Sequence, residues 1–176
     1  NAFVPISVPP NPGFSEDWLY TGRAFSINPI LIEAGWISIV KEEIGQQTYW
    51  RIFMRTRAQD GSQGEPMRTA PWDIYARFSG TAQAYDQGGQ TQTIIPPGFW
   101  VDFSTLAKAY GWERLPSLPN WTSYFSGTRF NEFINAPGLD WKTAMLQIYP
   151  PEIFITPTSI ILPTKTPTKT PWHYRT

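Results

Sequence analysis

The chain has 176 residues, a formal net charge of zero and no cysteine. The lack of cysteine excludes disulfides and thiolate metal sites, and the neutral balance without a basic run argues against nucleic-acid partners and anionic membranes. No apolar run approaches the roughly 20 residues of a membrane-spanning helix. The nine tryptophans predict an aromatic core, with some rings left for a subunit contact or a sugar-facing surface.

Three segments differ in composition. Residues 1–13 are rich in proline, which denies them helix and regular ladder bonds, and predict an extended N-terminal arm. Residues 14–152 predict a single folded domain, because a chain of this length can bury a sizeable core. Residues 153–176 turn into Thr/Pro repeats that favour polyproline II and predict an extended C-terminal arm.

The first half of the domain favours strands. A short strand is predicted at residues 23–27, and a β-hairpin at residues 36–41 and 48–55, which are rich in β-formers. Gly45 supplies the turn because glycine accepts a positive φ. Another strand is predicted at residues 74–78, followed by a long polar loop at residues 79–92.

The second half favours helices. Residues 101–110 predict a helix that Asp102 or Ser104 caps and Gly111 ends, with one apolar face: Phe103, Leu106, Ala107 and Tyr110. Residues 140–148 predict a second helix, capped by Asp140 and stopped by two prolines, with its own apolar face: Trp141, Ala144, Met145 and Ile148. The expected class is α+β, a single domain with a small antiparallel sheet and a few helices. The expected core includes Trp50, Phe53, Leu106, Trp141 and Met145.

One segment keeps the frame of a metal-binding motif. The stretch Asp17-Trp18-Leu19-Tyr20-Thr21-Gly22-Arg23-Ala24-Phe25-Ser26 resembles the Ser-x-His-x-x-Gly-x-Ala-x-Asp motif of secreted zinc D-alanyl-D-alanine carboxypeptidases. Gly22 and Ala24 are retained, but Leu19 stands where the family has its zinc-binding His and Ser26 where it has its zinc-binding Asp. Leucine offers zinc no lone pair, and a serine hydroxyl is a poor ligand. The same residues also fit a simple turn that leads into a strand.

The second half of that family's site is a Glu-x-x-His, and its counterpart here resembles residues 126–132. In this alignment Ser126 replaces the general base and Arg129 the last ligand, although a slip of the alignment would make Glu132 the remnant of the base. The one histidine, His173, lies in the tail. The resemblance covers roughly residues 14–133 and implies an α+β fold with a degenerate site that binds no metal or other cofactor and is not an enzyme.

Other catalytic patterns are absent from the sequence. There is no Gly-x-Ser-x-Gly elbow, no phosphate loop, and no carboxylate spacing that indicates a glycosidase. Arg23 has two interpretations: it could bind a ligand carboxylate bidentately, or it could pair with a nearby Asp or Glu.

Two functions remain as hypotheses. The first is a non-catalytic structural subunit that assembles with copies of itself, even as a filament, through its Pro-rich arms, because extended arms can lie in a neighbour's grooves. The expected anchor is the consecutive apolar run in the tail, Ile160, Ile161 and Leu162. The alternative is a module that binds cell-wall glycan in the old peptidase cleft on three rings: Trp18, Trp112 and Trp121.

Several features favour a secreted protein at the cell surface. The chain begins at Asn1 instead of Met, which fits a removed export signal. Asn120 begins an Asn-x-Thr acceptor site, and the Thr/Pro tail is typical of O-glycan acceptors: Thr164, Thr166, Thr168 and Thr170.

Overall fold

The computed structural model describes residues 2–5 and 16–154 and has the predicted α+β class. The described residues contain eight strands: β1 (Ala24–Ser26), β2 (Ile37–Ile44), β3 (Gln47–Arg55), β4 (Trp72–Asp73), β5 (Gln90–Thr91), β6 (Trp100–Asp102), β7 (Glu113–Arg114) and β8 (Glu132–Ile134). They also contain four α-helices: α1 (Ile30–Glu33), α2 (Ala82–Asp86), α3 (Phe103–Ala109) and α4 (Trp141–Leu146). Four short 3-10 helices complete the set: Trp18–Thr21, Tyr75–Phe78, Phe125–Thr128 and Pro151–Phe154.

The strands form three small antiparallel sheets with the orders β1-β8-β7, β2-β3-β6 and β4-β5. The hairpin of β2 and β3 is the longest pairing and confirms the sequence prediction. Ile44 pairs with Gln47 across the turn, where Gly45 has a φ of 63°. The strand β2 begins one residue later and ends three residues later than predicted, so Trp36 lies outside it.

Two aromatic clusters form most of the core. The larger surrounds the hairpin, and its fully enclosed members include Trp50, Ile52 and Phe133. The smaller joins the first 3-10 helix to α4 through Trp18, Trp141 and Met145. Burial of Trp50, Trp141 and Met145 is therefore confirmed.

The helix predicted at residues 101–110 is shorter, and its face is different. Residues 101–102 still belong to β6, and α3 begins only where the Asp102 carboxylate accepts the Thr105 N–H at 2.9 Å. The predictions for Leu106 and Tyr110 were wrong, since these side chains are 44% and 73% exposed. The burial of Ala107 is confirmed. The helix also buries Ser104, because the Ser104 hydroxyl accepts the N–H of Ile52 at 2.9 Å and holds the helix against β3.

Two other expectations fail locally. Residues 75–78 are a 3-10 helix instead of a strand, because the Asp73 carboxylate accepts the N–H groups of Tyr75 and Ala76, both at 3.0 Å. The predicted loop at residues 79–92 contains α2 and β5. Phe53 is only half-buried, packed against a small cluster that includes Trp100.

The helix predicted at residues 140–148 is confirmed as α4. Asp140 caps it by accepting the Thr143 N–H at 2.9 Å, and Trp141, Ala144 and Met145 are buried. Ile148 lies beyond the helix and is 49% exposed, so its placement on the buried face was wrong. No helix in residues 2–5 and 16–154 combines the length and hydropathy that a membrane span needs.

Candidate functional site

The pairing of β1 with β8 brings together three residues that the peptidase resemblance singled out. Ser26 lies directly opposite Glu132 in the ladder. Arg129 follows the 3-10 helix Phe125–Thr128 with a left-handed φ of 50°, and its Nε lies 3.8 Å from a Glu132 carboxylate oxygen. Its Nη2 donates to the Glu16 carbonyl at 2.6 Å. A guanidinium thus lies beside the carboxylate at the end of this sheet.

Burial raises the pKa of Glu132, the Arg129 guanidinium opposes that rise, and the carboxylate of Asp17 adds to it. A divalent cation at this place would be repelled by the fixed positive charge of Arg129. Leu19 lies in the 3-10 helix that leads towards β1 and packs its side chain against the smaller cluster. Across residues 2–5 and 16–154, no three His, Cys, Asp or Glu side chains come close enough to hold a metal ion.

Arg23 makes a contact that the sequence did not predict. Its Nη2 donates to the side-chain oxygen of Gln147 at 2.8 Å, which ties β1 to the segment after α4. The expected pairing with an acid was wrong, because the partner is a neutral amide. The role of Arg23 in binding a carboxylate stays a prediction.

The three tryptophans proposed as a sugar platform do not form one. Trp18 and Trp121 are each 7% exposed and belong to different clusters, and Trp112 packs edge-on against Phe25 with ring centroids 4.7 Å apart. The platform was wrong because large rings bury more favourably than they stack in water. Asn120 is exposed, and the tail positions predicted as anchor or glycan acceptors lie outside the described residues: Ile160, Ile161, Leu162, Thr164, Thr166, Thr168 and Thr170.

A cavity that sequence reasoning missed lies along the free edge of β2. It has a volume of about 310 Å³ and is lined by both polar and apolar groups. We call it the inner cavity; it is lined by Ile32, Gly35, Ile37, Ser38, Ile39, Arg55, Pro71, Trp72, Gln92, Pro96, Pro97 and Trp100.

The hydrogen-bond pattern of the hairpin shows which backbone groups face this cavity. The Arg55 N–H donates to the Trp36 carbonyl at 2.9 Å, so this is a hydrogen-bonded pair. Such pairs recur at every second residue of an antiparallel ladder, and the residues between them direct their N–H and C=O groups to the other edge. Ile37 and Ile39 therefore present these groups at the free edge of β2. No described residue supplies a hydrogen-bond partner for them.

Trp100, which also lines this cavity, carries another unpaired donor. The indole Nε1 of Trp100 is buried and has no acceptor within the described residues, and the Trp100 side chain is 4% exposed. Trp100 also lines a second cavity of about 400 Å³. Buried backbone and indole donors are nearly always paired, and an orphan costs about 1–3 kcal/mol. Orphan groups from three residues at one cavity indicate a place where an absent partner, water or ligand, supplies hydrogen bonds.

An outer cavity, also about 310 Å³, continues the inner one past Gly35 and Arg55. Trp36 lies at its rim and is 57% exposed. The opposite wall is rigid because the Gln59 side chain donates to the Thr56 carbonyl at 2.7 Å and accepts the Phe99 N–H at 2.9 Å. The aromatic and β-branched residues Trp36, Ile37 and Ile39 were the only sequence signal for this groove.

One further cavity, of about 380 Å³, is lined by cationic and aromatic side chains near the turn of the hairpin. Both of its arginines already form ion pairs, because the Glu42 carboxylate binds Arg51 and Arg114, each at 2.6 Å. Its charge therefore stabilises the hairpin against β7 and offers less to a ligand. No family model, no curated protein and no solved structure matches the chain.

Proposed function

We propose that the chain is a non-catalytic, secreted structural subunit of a cell surface that assembles with copies of itself through its Pro-rich arms. The observation that carries the proposal is the environment of Glu132. At the positions where the resembling peptidases hold zinc, this chain has Leu19, Ser26 and Arg129, and Arg129 places a guanidinium beside the Glu132 carboxylate. A packed domain with a guanidinium where those peptidases hold their metal fits a scaffold better than an enzyme.

The arms supply the means of assembly. The described start of the N-terminal arm lies on the body, where the Val4 N–H donates to the Leu19 carbonyl at 3.2 Å. The C-terminal arm carries a run of three apolar residues at 160–162, between prolines that restrict the free chain and so lower the entropy cost of docking.

Zinc analysis tests the non-catalytic part of the proposal. The native chain should bind no stoichiometric zinc, whereas the triple variant Leu19→His, Ser26→Asp, Arg129→His should bind about one zinc per chain if the resemblance is right. Arg129→Ala is the control, because it removes the cation without adding ligands. One zinc per native chain, held by body residues, would contradict the proposal.

Sedimentation of the full chain tests assembly. We expect a sedimentation coefficient that rises with concentration, and its loss when residues 160–162 are all changed to Asp. The matched control changes Thr164, Thr166 and Thr168 to Asp, which adds the same charge to the same arm without touching the apolar run. A monomer at every concentration, or equal loss in both variants, would speak against the anchor.

A further inference from the structure

We propose that the free edge of β2 is the acceptor groove for the tail, and that residues 158–162 of a second copy bind there as an added strand. The inference rests on the proposed self-assembly and names its contact. The inner cavity, with its unpaired backbone groups of Ile37 and Ile39, is the receiving surface.

The chemistry of the cavity fits an extended peptide. Ile37 and Ile39 lie two residues apart and each offers one N–H and one C=O at the edge, which is the spacing at which another strand pairs. The Trp100 Nε1–H adds a donor that a peptide carbonyl or a side-chain oxygen can accept. A ligand with only acceptors would leave the two carbonyls unpaired, and a ligand with only donors would leave the three N–H groups unpaired. Strand addition satisfies both kinds, and apolar pockets beside the edge then select side chains.

The sequence of the tail fits that edge. Thr158-Ser159-Ile160-Ile161-Leu162 lies between Pro157 and Pro163, so it is a run of five residues that all carry a backbone N–H. Three of the five are β-branched, which favours extended structure. Because side chains alternate along a strand, Ile160 and Leu162 would share one face and Ile161 the other. The lining of the cavity includes the apolar side chains of Ile32, Trp72, Pro97 and Trp100, against which such faces can pack.

The length of chain beyond the described body allows this contact. The described residues end at Phe154, whose ring packs edge-on against Trp141 at 5.8 Å. The eight residues from there to Leu162 can span roughly 25–30 Å when extended, which is enough to leave one body and reach a neighbour. An antiparallel run along β2 carries Pro163 towards the exposed ring of Trp36, a surface of the kind on which prolines dock.

Binding of a labelled synthetic peptide of residues 155–167 tests the groove. The receiving protein is the full chain with Ile160→Asp and Leu162→Asp, whose own tail no longer competes. We expect saturable binding that is weakened at least tenfold by Gln92→Arg, which places a charged side chain in the cavity. The control Gln83→Arg makes the same charge change on the exposed side of α2, outside the groove, and should leave affinity unchanged.

Peptides with one N-methyl group at each position in turn test the strand itself. N-methylation removes a donor and blocks the edge, so affinity should fall at every second residue of 158–162 and recover between them. Equal affinity at all positions, or no binding at millimolar peptide, would overturn strand addition.

Sedimentation separates this inference from the proposed function. If the native chain assembles and Gln92→Arg assembles equally well, the groove is wrong and self-assembly stands. If the native chain is a monomer while the peptide still binds as described, self-assembly is wrong and the bound segment is the chain's own tail. Loss of assembly with Gln92→Arg but not with Gln83→Arg, each with an unchanged melting temperature, supports both.

Discussion

Two buried regions treat their polar groups in opposite ways. The side chain of Arg77 is buried in the larger core, and its guanidinium donates to the carbonyls of Ile74, Gly88, Trp121 and Thr122 at 2.6–3.4 Å. At the free edge of β2, the backbone groups of Ile37 and Ile39 and the indole of Trp100 have no described partner. A buried cation therefore has hydrogen-bond acceptors within the fold, whereas neutral polar groups of three other residues have no described hydrogen-bond partner.

The difference indicates where the structure serves stability and where it serves binding. Arg77 joins three separate segments by their carbonyls and lies 5.3 Å from the ring of Phe125, so its charge is used within the fold. Burial holds its pKa below the usual value, which is the cost of that position. The polar groups at the β2 edge form no hydrogen bond to another described segment, and a partner that enters their cavity could bind them.

Removal of Arg77 should give the largest effect. Arg77→Ala leaves the carbonyls of Gly88, Trp121 and Thr122 without their charged donor and opens a void beside Trp121. We expect the free energy of unfolding to fall by about 3–5 kcal/mol, measured by chemical denaturation. Arg68→Ala, which removes a side chain that is 89% exposed, is the control and should change stability by less than about 0.5 kcal/mol. A small loss of unfolding free energy in Arg77→Ala would contradict the idea that the buried hydrogen bonds of Arg77 stabilise the fold.

A pair of tryptophan substitutions sharpens the comparison. Trp50 and Trp100 are both at least 96% buried, but the Nε1 of Trp50 donates to the Ser117 hydroxyl at 2.8 Å and that of Trp100 donates to nothing described. Trp→Phe removes the same atoms at each position, so packing losses largely cancel. We expect Trp50→Phe to cost about 1–2 kcal/mol more than Trp100→Phe in urea denaturation. Equal costs would show that a water molecule or a partner already satisfies Trp100.

The sequence predicted what local patterns determine. The hairpin followed from β-formers around Gly45, and α4 followed from Asp140 and its apolar spacing. Local patterns failed where a contact distant in sequence decides. Ser104 accepts the Ile52 N–H across 52 positions and faces β3, so Leu106 and Tyr110 lie on the exposed side of α3. The 3-10 helix at residues 75–78 is a different case, because the short-range bonds of the Asp73 carboxylate to Tyr75 and Ala76 determine it. The β2 groove could not be predicted, because an unpaired edge is visible only after the order of the strands is known.

The smallest expected effect concerns Glu132 and asks whether the buried charges at the end of the β1–β8 sheet are paired as well as that of Arg77. Its pKa is raised above the ordinary 4.5, mainly by burial, so just above pH 4.5 the folded chain keeps a proton that the unfolded chain has released. Stability must then fall as pH rises from 4.5 to the folded pKa, with a slope of at most about 1.4 kcal/mol per pH unit, and stay level above it. Asp60 and Asp140 have pKa values lowered from 3.8 and act only below this window.

The test is to measure denaturation midpoints from pH 4 to 7 for the native chain and for Glu132→Gln. The change of midpoint with pH should differ between the two only in the window between pH 4.5 and the folded pKa. The control Glu65→Gln, whose side chain is 80% exposed, should show the same pH dependence as the native chain. An unchanged slope in Glu132→Gln would mean that Arg129 fully offsets burial, and the end of the β1–β8 sheet would then resemble Arg77 more than the β2 edge.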